Sequence, residues 1–449
     1  MKTKTILVCG TRNLFFALAA IFALAFIACG AEPEPEPKHV HNYTWTVITP
    51  ATCIATGVES GVCKLDPSHT TTREIAIDLV NGHNYGAWTQ TSPADETTDG
   101  AEGSVCSNNP QHTGGTRPLY ATGTTGLAFT LISDGDNEGT YSVKKGTVTT
   151  GAVFIPAYWR GDSSNYEDYL PVTEIDSGAF ASTSITGITI PEGVTTIGEW
   201  AFNSCTNLAS ITIPASVTAI GEKAFLSTSA SVTFAADSQL KTIGPNAFER
   251  TGFTSIIIPD SVTSIGNEAF TYSNLTSITI PDSVTSIGES AFRWSYDLTT
   301  VTIPDSVTSI GERAFQGCNK LADITIPSRV TAIRAYMFQG CTSLASITIP
   351  EGVRQLNGAA FNGCNLSSII IPSTVNQIDN AVFQGNENLI SVTFNCNIGV
   401  GTFSTGTSTQ AAFPGDLRDK YFAQSASTRI GRYTTTAPVS TSSVWTKQP

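Results

Sequence analysis

Phenylalanine returns at a fixed interval through half of this chain. Phe180, Phe202, Phe225, Phe248, Phe270, Phe292, Phe315, Phe338, Phe361 and Phe383 are always 22 or 23 residues apart. A unit that short cannot bury an apolar face alone, so ten such units have to stack on one another. The period therefore predicts a solenoid over residues 176–394, with each unit one coil and each Phe inside it.

One unit, Leu275 to Phe292, shows how the residue types shape a coil. Leu275, Ile278 and Ile280 in LTSITIP have the spacing of a short strand, with Ile278 and Ile280 inward and Thr279 outward. Pro281 ends the strand because it has no N–H for a ladder. Val284 and Ile287 point inward from a second extended piece, and Gly288 permits a turn. Glu289–Phe292 reads as a short helical turn. Stacking then aligns the LTSITIP strands into a parallel sheet along one face.

The unit LxxIxIPxxVxxIGxxAFxxC resembles the leucine-rich repeat of Treponema and of Bacteroides surface protein A, the BspA-like repeats. Cys205, Cys318, Cys341 and Cys364 match the Cys that closes that consensus. Around Ser227–Ala247 the Pro is missing, and the last copy ends in VTFNCN. The resemblance implies a β-rich leucine-rich repeat solenoid of about ten 22–23-residue coils. It also implies a cell-surface protein that binds host matrix proteins or other bacterial cells. The tail segments LRDKYF, GRYTTT and VWTKQ resemble the flanks of spirochaetal members.

The regions before the solenoid divide by composition. Residues 1–28 carry Lys2, Lys4 and Arg12 ahead of an apolar run too short for a comfortable membrane span. Phe26-Ile-Ala-Cys-Gly30 resembles a bacterial lipoprotein signal, which makes Cys29 the lipidated residue. Residues 29–38, with EPEPEP at 32–37, read as a stiff acidic tether. Residues 39–119 hold two modules of roughly 43 residues. His41, Trp45, Cys63 and His69 in the first recur as His83, Trp88, Cys106 and His112. Residues 120–175 read as an N-terminal cap and 395–449 as a C-terminal cap and tail.

Lys and Arg number 24 against 37 Asp and Glu, for a net charge of −13. That excludes nucleic acid, and any membrane contact other than the lipid anchor, since both need basic patches. No phosphate loop, G-x-S-x-G elbow or H-E-x-x-H motif occurs, and all five His lie before residue 113. An enzyme is not expected, nor a cofactor or a metal.

Several residue sets admit a plain and a functional reading. Cys53 and Cys63 are expected to form a disulfide that staples a small module; zinc held with His41 and His69, a Cys63–Cys106 bridge and simple packing are the alternatives. Cys318, Cys341 and Cys364 share a column with Thr228, Thr251, Ser273 and Ser295, which favours small buried groups over disulfides. Thr212, Thr279, Thr302, Thr325 and Thr348 form an outward column, read as ordinary strand residues rather than an ice- or polysaccharide-binding array. Asp260, Asp282 and Asp305 read as turn initiators, not cation ligands. Trp200 and Tyr336 share a variable column but stand too far apart to act together.

Repeated residues build the scaffold, so specificity has to come from positions where the copies differ. Two residues after the Phe, late copies have Gly317, Gly340 and Gly363, whereas three earlier ones have Arg250, Tyr272 and Trp294, with Tyr296 nearby. Arg, Tyr and Trp are the side chains that concentrate binding energy at interfaces. These four are the candidate ligand contacts. The expected function is a non-catalytic, adhesin-like surface protein, exported and lipid-anchored, facing outward or toward the periplasm. A structural or self-associating coat protein, or a carbohydrate binder, is the alternative.

Overall fold

The computed structural model describes residues 120–133, 137, 139–161, 169–404 and 411–449. Before residue 120 it describes essentially the strands alone. Cys29, the tether and Cys53 lie outside the described residues, as does the side chain of Cys63. Two compact units are present, one chiefly before Gly86 and the other chiefly the solenoid. Tyr43–Thr49, Gly57–Cys63 and Thr70–Ile75 form an antiparallel three-stranded sheet. Thr89–Ser92, Gly100–Cys106 and Asn109–Leu119 form a second three-stranded sheet.

The ten Phe side chains make the spine of the solenoid. Each is fully buried, and successive rings stack with centroids 5.2–5.6 Å apart. Leu275, Ile278, Ile280, Val284 and Ile287 are buried around this spine while Thr279 is exposed, as strand alternation requires.

Two parallel ladders run along the coils. One passes through the LTSITIP strands, in register such as Ile211 with Val232 and Ile278 with Val301. It is interrupted at 255–258 and again at 346–349, which join no strand. The other passes through the second extended piece, two residues per coil, and is the more continuous. It runs unbroken in parallel from Tyr141–Lys144 through Ser264–Ile265 and Ser286–Ile287 to Ser309–Ile310. It resumes as Ala332–Ile333, Gln355–Leu356 and Gln377–Ile378.

Glycine lets most coils of that ladder approach closely. Gly198, Gly221, Gly244, Gly266, Gly288 and Gly311 occupy one column, each against the backbone of the coil before. A Cβ on Gly288 would sit 2.5 Å from the carbonyl carbon of Gly266, and one on Gly311 2.4 Å from the Glu289 nitrogen. Gly288 is therefore needed for close approach of backbones, not for the turn. The next residue in the column is Arg334, followed by Asn357 and Asp379. The ladder breaks between Ser309–Ile310 and Ala332–Ile333, where Gly311 gives way to Arg334, although the side chains of Asp176, Asn357 and Asp379 in the same column leave the pairing of their coils intact.

The turn leading to each Phe is not the helical turn expected from sequence. Its N–H groups reach the next coil: Ser290 donates to Glu312, Phe292 to Ala314 and Trp294 to Gln316, at 2.7–2.8 Å. Alternate N–H groups point along the axis because the residues two before and two after the Phe take positive φ, as at Ser290 and Trp294 (both 56°). Inter-coil bonds thus satisfy donors that a helix would have satisfied internally.

Both ends of the stack are covered. Tyr141–Lys144 and Thr150–Phe154 pair in parallel with the first coil, and Ala128–Leu131 lies antiparallel on the outer edge. At the far end Gly431–Thr434 turns antiparallel to Ser391–Phe394 and is followed by Thr446–Lys447. Phe413 stacks on Phe383 at 4.6 Å, and the buried Trp445 donates Nε1–H to the Pro414 carbonyl.

Candidate binding face

Arg250, Tyr272 and Trp294 stand at the second left-handed position of three successive coils, with φ of 53°, 57° and 56°. Gly317, Gly340, Gly363 and Gly385 fill the same position in the following coils, with φ of 68–76°. The sequence difference between early and late copies is therefore a difference at a backbone site that suits glycine. A large side chain there costs about 1–2 kcal/mol.

The structure brings the four candidate residues together. The rings of Tyr272 and Trp294 lie 4.6 Å apart, and Tyr296 is 6.2 Å from Tyr272. The Arg250 guanidinium sits 5.1 Å from the Tyr272 ring centroid and pairs with Glu249 at 3.0 Å. Tyr272 and Trp294 are half-buried, whereas Tyr296 is 47% exposed. The row ends where Trp294 lies against the backbone of Gly317: a Cβ added there would meet Trp294 Cδ1 at 2.4 Å.

Arg293 joins this cluster, with its guanidinium 3.4 Å from the Trp294 centroid. Sequence reading had not singled it out. The available signal was its column, which holds Gln316, Gln339, Asn362 and Gln384 in later coils. There the side chains bond coil to coil, Gln316 to Gln339 at 2.5 Å and Gln339 to Asn362 at 3.4 Å.

The Cys column is structural. Cys205, Cys318, Cys341 and Cys364 are free, buried thiols. Each donates its S–H to the Phe carbonyl one coil back, Cys318 to Phe292 at 3.1 Å and Cys341 to Phe315 at 3.2 Å. Ser295 makes the same bond to Phe270 at 2.9 Å, and Asn386 to Phe361 at 2.8 Å. Burial pushes the Cys341 thiol well above its ordinary range and the Cys364 thiol to about 12, which leaves neither as a nucleophile.

The remaining columns also have structural roles. Asp305 accepts bonds from the N–H and hydroxyl of Ser328 in the next coil, and Glu192 does the same for the N–H groups of Ala215 and Ser216. The acidic residues after the strand thus tie successive turns together. The outward Thr column is interrupted by Ile257, which is 86% exposed, and by Ile370, so it is not a uniform hydroxyl array. Trp200 stacks with Lys223, and Tyr336 with Arg313, six coils apart. Among the described residues no group of three or more His, Cys, Asp or Glu is placed to hold a metal.

A coil of 22–23 residues, a buried Phe spine and two parallel ladders define a leucine-rich repeat solenoid. The sequence profile of the BspA type leucine rich repeat region matches residues 173–294, 263–390 and 316–427, more than half of the chain. The chain belongs to that family, which is a repeat family and not an enzyme family. Among solved structures it is similar to a leucine-rich repeat protein from Bacteroides ovatus, 26% identical over 61% of this chain and 71% of that one, with a TM-score of 0.46. A leucine rich cell surface protein from Faecalibacterium prausnitzii is 26% identical over 67% of this chain and 99% of that one, TM-score 0.33. The leucine rich repeat protein of T. pallidum is 22% identical over 51% and 82%, TM-score 0.30. Comparison with curated proteins gives no match.

Proposed function

We propose that the chain is a non-catalytic, adhesin-like protein of the bacterial cell surface, held by lipid on Cys29, that presents its solenoid to a protein on host matrix or on another cell. The observation that supports this most is the row from Arg250 to Tyr296. Large aromatic and basic side chains gather at a backbone position where later coils use glycine. The spine, the glycine column and the Cys column serve stacking alone. Membership of a repeat family agrees with a surface or interaction role. An array of matrix proteins, bacterial surface proteins and glycans, probed with the full chain, tests the reading. Capture by a protein supports it. Capture by glycans alone, or by the chain itself alone, points to the carbohydrate-binding or self-associating alternatives and overturns it. Labelled palmitate should enter the wild-type protein in cells and not Cys29→Ala; absence of label in the wild type removes the anchor.

A further inference from the structure

We propose that the Arg293–Trp294 corner of this row docks an acidic peptide segment of the partner protein. This deepens the interaction reading above and rests on it. The argument starts from Arg293, which is half-buried against Trp294. Among the described residues it has no carboxylate partner and no side-chain hydrogen bond, and its Nε is shielded from water without an acceptor. Other arginines of the solenoid are provided for. Arg250 pairs with Glu249, and Arg313 with Glu289 and Glu312. Arg329, Arg334 and Arg354 are exposed, so water solvates them.

A cation partly withdrawn from water and left unpaired is destabilising until an anion arrives. A guanidinium held 3.4 Å from an indole centroid is already placed for a carboxylate, which loses less freedom when it binds there. One coil further along the same column, Gln316 Oε1 is buried and also lacks a partner. The corner thus holds an unmet donor and an unmet acceptor in successive coils. Both atoms are shielded, so a docking carboxylate meets the part of Arg293 that is not buried.

The geometry favours a peptide over an acidic sugar. A sugar ring docks on an open aromatic face. Here Tyr272 and Trp294 pack on each other, Arg250 covers Tyr272 and Arg293 covers Trp294. What remains open is the Tyr296 side chain and the unburied part of Arg293, which suit an extended segment carrying carboxylates.

The test is calorimetric titration of the full chain with three probes: a synthetic peptide alternating Glu and Leu, its Gln–Leu counterpart, and an oligouronate. The Glu–Leu peptide should bind, with an affinity that falls as salt rises, and the Gln–Leu peptide should not. Arg293→Gln should weaken binding by about tenfold or more, the scale for removing one member of a desolvated charge pair. The exposed control Arg329→Gln should leave it unchanged. Trp294→Gly places the residue that later coils use at that position, so the variant should fold and bind more weakly. No binding of the Glu–Leu peptide, unchanged binding by Arg293→Gln, or preference for the oligouronate overturns the proposal. An Arg293 that simply turned to Gln316 in solution would leave the peptide unbound and overturn it equally. If the protein array captures a partner regardless of Arg293, the interaction reading stands and this inference falls. If the array captures nothing, both fall.

Discussion

Replacing Gly311 with alanine isolates the effect of the glycine column from that of backbone conformation. The new Cβ would lie 2.4 Å from the Glu289 nitrogen, 2.5 Å from the Gly288 carbonyl carbon and 2.6 Å from the Glu289 Cα. All three are backbone atoms, so no rotamer change relieves the clash. The coil must draw away from the one before it. That movement strains the bonds from Thr308 N–H to Thr285 and from Gly311 N–H to Ile287, both 2.9 Å, and the pairing of Ser309–Ile310 with Ser286–Ile287. At about 1 kcal/mol net for each bond, loss of two to four of them costs roughly 2–4 kcal/mol. Gly340→Ala is the control. Gly340 has φ of 76° but nothing nearer than 3.7 Å to its would-be Cβ, so it carries only the left-handed penalty of about 1–2 kcal/mol. Stacked repeats need not unfold in one step, so amide hydrogen exchange at Thr308 and Gly311 is the assay, with denaturant unfolding beside it. Gly311→Ala should abolish protection at those amides while protection at Gly340 persists. Unchanged protection at Thr308 and Gly311, or a larger loss of stability from Gly340→Ala, would refute the steric account.

Other outcomes follow from the same contacts. Phe292→Ala removes a ring stacked at 5.3 and 5.4 Å on Phe270 and Phe315 and should cost about 3–5 kcal/mol in denaturant unfolding; a loss below 1 kcal/mol would mean the spine does not hold the coils. Cys318→Ser should fold with little loss, because Ser295 already bonds a Phe carbonyl in that column, and thermal unfolding measures this. Burial raises the Cys364 and Cys396 thiols from 9.0 to about 12. A raised folded-state value means the unfolded chain gives up these protons first, so stability is full below pH 9 and falls as pH rises toward 12. Cys364→Ser should flatten that alkaline decline; an identical pH profile would count against burial as its cause.

The coil could be read from sequence because its determinants are local to one repeat. The interval between Phe residues sets the length of chain in each coil. Ile278, Ile280, Val284 and Ile287 show which side is inward, since alternation needs no knowledge of neighbours. What stayed hidden depends on how coils meet. The positive φ at Ser290 and Trp294 exists to aim N–H groups at the next coil, and no single repeat encodes that. Likewise Gly288 suggests a turn until the backbone of Gly266 appears beside it. For the candidate row, the change from Gly to Arg, Tyr and Trp was visible as variation. Arg293 differs in sequence from the amides of its column, but its missing partner is displayed only by the packed structure.

The energetics of the row separate it from the scaffold. Three large residues at left-handed positions cost about 3–6 kcal/mol together at the per-residue scale. The ring pairs Tyr272–Trp294 and Tyr272–Tyr296 return about 0.5–1.5 kcal/mol each, and the two arginine–ring contacts a comparable amount. Gain and cost are of one size, so the row is close to neutral for folding, whereas later coils reach the same backbone with glycine. Trp294→Gly should therefore shift stability by about 1 kcal/mol or less in either direction, although Phe292→Ala, two residues earlier, costs several. If Trp294→Gly destabilised the chain as much as Phe292→Ala does, Trp294 would belong to the scaffold and the reason for assigning the row to a partner would be gone.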